Sequence, residues 1–396
     1  MSYSKLIFNK QKIISVIIVL QLAAVIAMTM MMFSAYRNRV IYYQHFEEPL
    51  SQSGICLRAA SGDNYFATEE SILQVFTRAT KVTGGKAIEL VDADNNDIQP
   101  SITIYPDDIM DSMPPMLLEG EYPKENDEFI ECLVSMNSGY DIGDEITYID
   151  YSDNSTYKIK ITGVAMDNQL IYGTGGSAYY HYYNDYRDFY YVMNSAHRDG
   201  PLLITTESLA SSQSLEGYYN NNSILIIEVP PEERYTMDEI GELAYEYDFT
   251  YMGDVETYRE NSELYVNEQL MILVPIAIAI FVITLFTVIT TGIIGTYNNI
   301  YNYAVLYLCG NTWRKCAMLN MIKYLVIAAA AIVIDVLFFA VGSKTYLKET
   351  VISIGIESVI ISIALFAIIL VMSIIIPLIV VSRKQPRDVL KTQFSD

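Results

Sequence analysis

"ETYRENSELYVNEQLMILVPIAIAIFVITLFTVITTGII" runs from Glu256 to Ile294 and changes character partway along. Its first fourteen residues carry five charges; the next twenty-five, Leu270–Ile294, carry none. Crossing a bilayer takes about 20 apolar helical residues. No Gly or Pro interrupts the polar part before the apolar part begins. The pattern therefore predicts a helix that starts as a polar stalk and continues into a membrane span.

Three more apolar runs reach spanning length: Ile13–Ser34, Ala317–Val341 and Ile356–Val381. Apolar stretches of this length with so few charges are rare in water-soluble cores. The expected fold is an α-helical membrane protein with four transmembrane helices. One large α+β extracytoplasmic domain is expected between helices 1 and 2. The 396 residues divide into an N-terminal segment (1–12), helix 1 (13–34), the domain with its stalk (35–269) and helix 2 (270–294). A cytoplasmic coupling loop (295–316), helix 3 (317–341), helix 4 (356–381) and a cytoplasmic tail (382–396) follow.

Charge sets the orientation. Residues 35–269 hold 42 acidic and 13 basic residues, a net of −29, whereas the rest holds 5 acidic and 12 basic, a net of +7. Lys and Arg beside spans stay in the cytoplasm. Lys5, Lys10 and Lys12 precede helix 1, Arg314 and Lys315 follow helix 2, and Arg383, Lys384, Arg387 and Lys391 follow helix 4. These segments are expected inside, at a bacterial plasma membrane, with both termini cytoplasmic. Arg37 and Arg39, just beyond helix 1, run against the rule. The first apolar run exceeds the usual length of a signal peptide, and "MFSAYR" lacks a small-x-small cleavage pattern, so an uncleaved anchor is expected. Leu6, Ile7, Ile13 and Ile14 can share one helical face on membrane lipids; the alternative is an ordinary charged flank. So acidic an outer surface disfavours nucleic acid as a partner.

Inside the domain, "TEESILQVFTRATK" (68–81) and "TMDEIGELAYEYDF" (236–249) have helical starts and spacing. "KAIELVDADNNDIQPSITIYP", "DEFIECLV", "DEITYIDYSDNSTYKIKITGV" and "SILIIEV" read as strands and turns. "SAYYHYYNDYRDFYYV" (177–192) is dense in tyrosine, a side chain suited to recognition surfaces. Tyr179, Tyr180, Tyr182, Tyr183 and Tyr186 are either a ligand surface or a packing face.

Catalytic and cofactor signals are weak. "TGGKA" around Lys86 lacks the first Gly and the Ser/Thr of a phosphate loop. His45, His181 and His197 lack metal-ligand spacing. "DADNND" (92–97) lacks the Gly and Glu that complete a calcium loop. Cys56 and Cys132, both in the domain, are open to pairing. Asp335 lies within helix 3, as a functional acid or as a group reaching the outer interface. Gln21 in helix 1 suits a contact between helices.

"LYLCGNTWRKC" (306–316) separates helices 2 and 3. Cys309 and Cys316 have no further Cys or His nearby for a metal site. Gly310 and Asn311 break the helix, and Trp313, Arg314 and Lys315 present a ring and two charges. Aromatic and Arg side chains anchor protein interfaces, and Trp with basic residues also marks a membrane boundary.

The whole layout resembles the FtsX-like, or MacB-type, permease family of ABC transport systems. "LLEGEYPKENDEFIECLVSMNSGYDIGDEITY…YKIKITGV" is similar to that family's outer-domain core. Gly120 with Pro123, Gly143-Asp144-Glu145-Ile146 and Ile161-Thr162-Gly163-Val164 match its motifs in order. Leu306 and Gly310 match its signature after the second span; Pro386, Leu390 and Lys391 match its ending, with Lys for Arg. Asn302, Tyr307 and Lys323 depart from it. The resemblance implies a permease subunit with no catalytic, cofactor or metal site of its own. It implies pairing as a homodimer or heterodimer, and a separate ATPase that binds ATP. Leu306, Gly310, Trp313, Arg314 and Lys315 would relay the ATPase's movement to the outer domain. Peptide or antibiotic export is one expected outcome. A membrane-anchored receptor or adhesion protein without energy coupling is the alternative, although it leaves the last three spans unexplained.

Overall fold

The structure is a computed structural model that describes residues 12–59, 68–93, 100–112, 116–136, 138–150, 154–166, 170–173, 183–192, 202–219, 224–310, 313–342 and 355–382. It divides into two compact units: Asn38–Asn267, and Met1–Arg37 with Glu268–Asp396.

The helices are α1 (Lys12–Gln44), α2 (Glu47–Ser51), α3 (Glu69–Val75), α4 (Asp107–Ser112), α5 (Glu207–Ser212), α6 (Met237–Glu246), α7 (Val255–Leu308), α8 (Trp313–Gly342) and α9 (Ile356–Ser382). The strands are β1 (Gly54–Ala59), β2 (Lys81–Thr83), β3 (Lys86–Glu89), β4 (Val91–Asp92), β5 (Ser101–Tyr105), β6 (Leu117–Gly120), β7 (Ile130–Ser135) and β8 (Glu145–Ile149). They continue with β9 (Thr156–Ala165), β10 (Leu170–Tyr172), β11 (Tyr190–Val192), β12 (Leu202–Thr206), β13 (Tyr218–Tyr219), β14 (Ile224–Glu228) and β15 (Phe249–Asp254).

The unit Asn38–Asn267 is a large β-rich domain. Its main sheet has nine strands in the path β13-β3-β5-β12-β7-β9-β8-β4, with β6 also paired to β9. Along β9 Tyr157, Ile159, Ile161 and Ala165 are buried, because alternate side chains of a strand share a face. Tyr157, Ile159 and Ile161 meet Cys132, Val134, Tyr148 and Leu203 in one apolar core. A second sheet runs β15-β1-β14-β2, and β10 pairs with β11. The core of the second sheet gathers Leu57, Leu225 and Ile227 beneath Ile72 of α3 and Ile240 and Ala244 of α6. Cys56 and Cys132 are unpaired, because each is buried in a different sheet.

Capping fixes where α3 and α6 begin. The Thr68 hydroxyl accepts from Ser71 N–H, and Thr236 is tied reciprocally to Glu239. The spacing in 68–81 suggested a longer helix than the structure has. α3 stops at Val75, since Thr80 N–H bonds Glu228 O and Lys81–Thr83 pair with β14. Tertiary strand pairing here overrides local propensity.

Arg78 joins these elements. Its guanidinium forks onto Glu239 at 2.6 and 3.1 Å and lies 4.7 Å from the Tyr235 ring centre. The Arg78 hydrogen bonds hold the Glu239 carboxyl down at about 2. A depressed carboxylate stabilises the fold above its ordinary range, and that stability is lost as pH falls from about 4.5 toward 2. Arg78→Met is expected to flatten this acid-side loss, as read by thermal unfolding across that window. An unchanged profile would rule the ion pair out as its source.

Of the residues quoted for the family resemblance, Gly120, Gly143, Asp144, Ile161 and Gly163 are neighbours in the main sheet. Gly120 on β6 pairs with Gly163 on β9. Gly120 has φ +90°, and a Cβ there would lie 2.3 Å from Thr162 O. Only a residue without a side chain tolerates both that conformation and that approach. Asp144 accepts Asp141 N–H at 2.8 Å, and Gly143 N–H bonds Ile161 O, so this turn launches β8 alongside β9.

Among the described residues, three helices are long and apolar enough to cross a membrane: Ser15–Gln44, Val255–Ile294 and Leu325–Gly342. A shorter apolar stretch, Ile356–Ile369, lies in α9. Ile18, Leu22, Val288, Ile327, Ala331 and Ile369 pack together. Outward positions such as Ile283, Phe286 and Leu337 are apolar too. A helix apolar on all sides suits a lipid surrounding. The Thr29, Thr284 and Ser362 hydroxyls donate to carbonyls one turn back, which satisfies them without water. Arg37 and Glu357 form an ion pair of 3.3 Å. Asp335 is 5% exposed, and one of its oxygens has no hydrogen-bond partner among the described residues.

Candidate functional site

Two segments that continue from apolar helices belong to the β-rich domain: Asn38–Gln44 of α1 and Val255–Asn267 of α7. Between them sits a 3₁₀ turn, Tyr186–Phe189, capped by Asp185, whose carboxylate accepts Arg187 N–H. The turn's neighbours are aromatic. Phe46 stacks on Phe189 at 4.4 Å, Tyr42 meets Tyr190 edge-on at 5.3 Å, and Phe189 lies 5.8 Å from Tyr258. Edge-to-face and offset contacts of this kind contribute beyond their buried area. On α7, Val255, Tyr258, Ser262 and Val266 are buried, a stripe at helical spacing that faces this cluster.

Polar groups fix the register. Asp188 accepts three hydrogen bonds: from Tyr183 N–H and Asn184 N–H at 2.8 Å, and from Tyr258 Oη–H at 3.1 Å. Burial nevertheless pushes its carboxyl up to about 6. Ser262 Oγ accepts Tyr186 N–H at 2.8 Å and donates to Tyr258 O. An alternating stack runs beside them. The Arg187 guanidinium lies 3.6 Å from both the Tyr183 and the Tyr265 ring centres, and Arg39 lies 3.8 Å from Tyr265. Arg39 also donates to Tyr265 O at 2.6 Å, and Arg187 pairs with Asp185 at 2.7 Å. Planar guanidinium groups suit such stacking, and lysines would not replace them. Among the described residues, the arrangement holds no nucleophile–base pair. It can clamp: strand, turn and both helix segments share one buried network.

Of the five tyrosines read as a possible ligand surface, Tyr186 is 1% exposed and forms part of this core. Tyr183 is 38% exposed and lies against Arg187. Tyr179, Tyr180 and Tyr182 lie outside the described residues.

The stretch 295–316, read as a loop, is helical as far as Leu308. Leu306 is therefore in the last turn of α7. Gly310 follows at φ +89°, a conformation suited to ending a helix. α8 begins at Trp313, so Trp313, Arg314 and Lys315 form its first turn. Cys309 is exposed and unpaired. Pro386, Leu390 and Lys391 lie outside the described residues.

No family model and no curated protein matches the chain. Among solved structures, it is similar to the crystal structure of a domain named for a permease protein of Porphyromonas gingivalis. The identity is 14%, over 50% of this chain and 81% of that chain, with a TM-score of 0.21. A likeness that loose carries no argument about fold or function.

Proposed function

We propose that this chain is the membrane subunit of an ABC transport system of the FtsX-like, MacB-type kind. In this reading it has four spans and both termini inside a bacterial plasma membrane. It pairs with a second permease, and a separate ATPase binds and hydrolyses ATP. The chain itself performs no chemistry: it converts the ATPase's movement into a change of its β-rich domain, with peptide or antibiotic export as one use.

The observation that supports this best is the continuity of α7. Strand β15 ends at Asp254, and helix α7 begins at Val255 and ends at Leu308, two residues before the turn at Gly310. The path is helical throughout, with Pro275 inside it, and packed helices move as elements in shear and hinge transitions. At the domain end, the Asp188 network and the Arg–Tyr stack hold the first turns of the same helix. A receptor that needed only anchoring would have no use for such a connection.

The test is purification of the full chain from native membranes in mild detergent. An ABC-type ATPase is expected to accompany it, with activity stimulated by the chain. The double variant Trp313→Ala/Arg314→Ala is expected to lose about tenfold of that stimulation, the scale of one removed interface anchor. Absence of any bound ATPase across mild detergents would overturn the reading.

A further inference from the structure

Helix α8 carries a single carboxyl along its length, Asp335. It stands seven residues before the helix end at Gly342, about 10 Å from it along the axis. Val333, Val336 and Leu337 beside it are exposed and apolar, so in a membrane the carboxyl lies at the depth of the lipid chains. Ile327, Ala331 and Asp335 recur every fourth residue and are all buried, which puts the acid on the packed face of the helix. Ile327 and Ala331 meet Ile18 and Leu22 of α1, Val288 of α7 and Ile369 of α9. Aspartate has one methylene, too short a stem to lift its charge to the helix end as lysine or arginine can.

Among the described residues, the packed helices offer nothing to balance a negative charge there. The buried positions of α1, α7 and α9 in this unit include serines and threonines but no titratable side chain. The Thr29, Thr284, Ser358 and Ser362 hydroxyls each donate to a carbonyl three or four residues back, at 2.7 or 2.8 Å. Arg37 of α1 and Glu357 of α9 are largely exposed and pair with each other. Asp335 Oδ2 is buried and has no hydrogen-bond partner among the described residues. An ionised carboxylate in this setting would be an unpaired charge in an apolar interior, the costliest state open to it. A protonated carboxyl is neutral, and its O–H is a donor that the ionised form lacks. Among the described residues no cluster of acids, histidines or cysteines gathers for a metal ion; a proton needs only the one carboxyl. Acids buried within spans mark proton and ion paths.

We propose that Asp335 is a proton-binding site inside the membrane, its carboxyl held as a neutral acid while the helices stay packed. Any movement that brings water to it releases the proton, so opening of the helices and proton release are one linked event. The inference rests on the membrane reading of α8 and needs neither ATP nor an ATPase.

The test is infrared difference spectroscopy of the full-length chain in phosphatidylcholine nanodiscs at about pH 7, wild type against Asp335→Asn. Ordinary carboxyls are ionised at that pH, so a protonated one stands out by its C=O stretch. The band is expected in wild type and missing from the variant, whose amide keeps the size and neutrality of the acid. Loss of a carboxylate band instead would overturn the proposal. Wild type alone gives a second reading that does not depend on how the variant folds. Dicyclohexylcarbodiimide dissolves in lipid and adds to protonated acids. The acid proton moves to one of its nitrogens and the carboxylate oxygen bonds its central carbon, with no atom lost. Peptide mass mapping is expected to find Asp335 labelled and the exposed Glu357 unlabelled. A label on Glu357 alone, or on neither residue, would overturn the proposal. The infrared band without any bound ATPase overturns only the transport reading. ATPase stimulation without the band overturns only this one.

Discussion

Asp188→Ala is expected to cost the β-rich domain about 2–4 kcal/mol. In a domain of this size that is about 10 °C in melting temperature. The reason is the number of donors left behind. Tyr183 N–H, Asn184 N–H and Tyr258 Oη–H all end on this one carboxylate. Each loses its acceptor; the Tyr258 Oη–H is buried, and a buried donor without a partner costs about 1–3 kcal/mol, while the two part-buried N–H groups add less each. The same residue gives the fold a pH dependence of definite sign. Burial raises its carboxyl from the ordinary 3.8 to about 6. Between those values the folded chain keeps a proton that the unfolded chain has released. Stability through this group is therefore highest below about pH 4, falls as pH rises toward 6, and is level above it. The span is about 3 kcal/mol from the size of the shift. Asp188→Asn removes the titration while keeping one carbonyl acceptor, so its urea midpoint should lack that decline between pH 4 and 6. The same decline in wild type and Asp188→Asn would assign it to another group.

This network also shows what the sequence does and does not reveal. Strands such as "YKIKITGV" and "SILIIEV" are legible because alternation and β-branched runs are local signals. The starts of α3 and α6 are legible because their caps lie within four residues. The apolar runs stand out by length alone. The clamp is different. Asp188 meets Tyr258 across seventy residues, and Arg39 meets Tyr265 across more than two hundred. Nothing in "NDYRDF" distinguishes a tyrosine that packs inward from one that faces a ligand, since the side chain suits both. Tyr186 is buried in the core, whereas Tyr183 just before that stretch is partly exposed and lies against Arg187. Two local hints did exist. Asn184, Asp185 and Asp188 predict a tight turn, and Val255, Tyr258, Ser262 and Val266 recur at helical spacing along the stalk.

Phe46→Ala should be comparably damaging, by about 3–5 kcal/mol. Phe46 is 1% exposed. Its ring stacks on Phe189 at 4.4 Å, meets Tyr190 edge-on at 5.7 Å and lies 5.8 Å from Tyr172. Truncation removes apolar area and leaves a cavity lined by large, rigid rings, which cannot collapse to fill it. Phe46→Leu keeps most of the volume but loses the ring geometry, so about 1–1.5 kcal/mol is expected. The chain offers two separate probes. Its single tryptophan, Trp313, begins α8 in the helical unit, whereas the clamp is built of tyrosines. Tyrosine near-ultraviolet dichroism should show an earlier transition in Phe46→Ala, while Trp313 fluorescence keeps its own midpoint. Equal midpoints for the alanine and leucine variants would mean that ring packing at this position does not hold the domain. Phe46 lies two residues beyond the end of α1. Under the proposed coupling, the alanine variant should therefore retain ATPase binding and lose stimulation, because binding depends on the turn at Gly310 and stimulation also requires an intact clamp at the domain end.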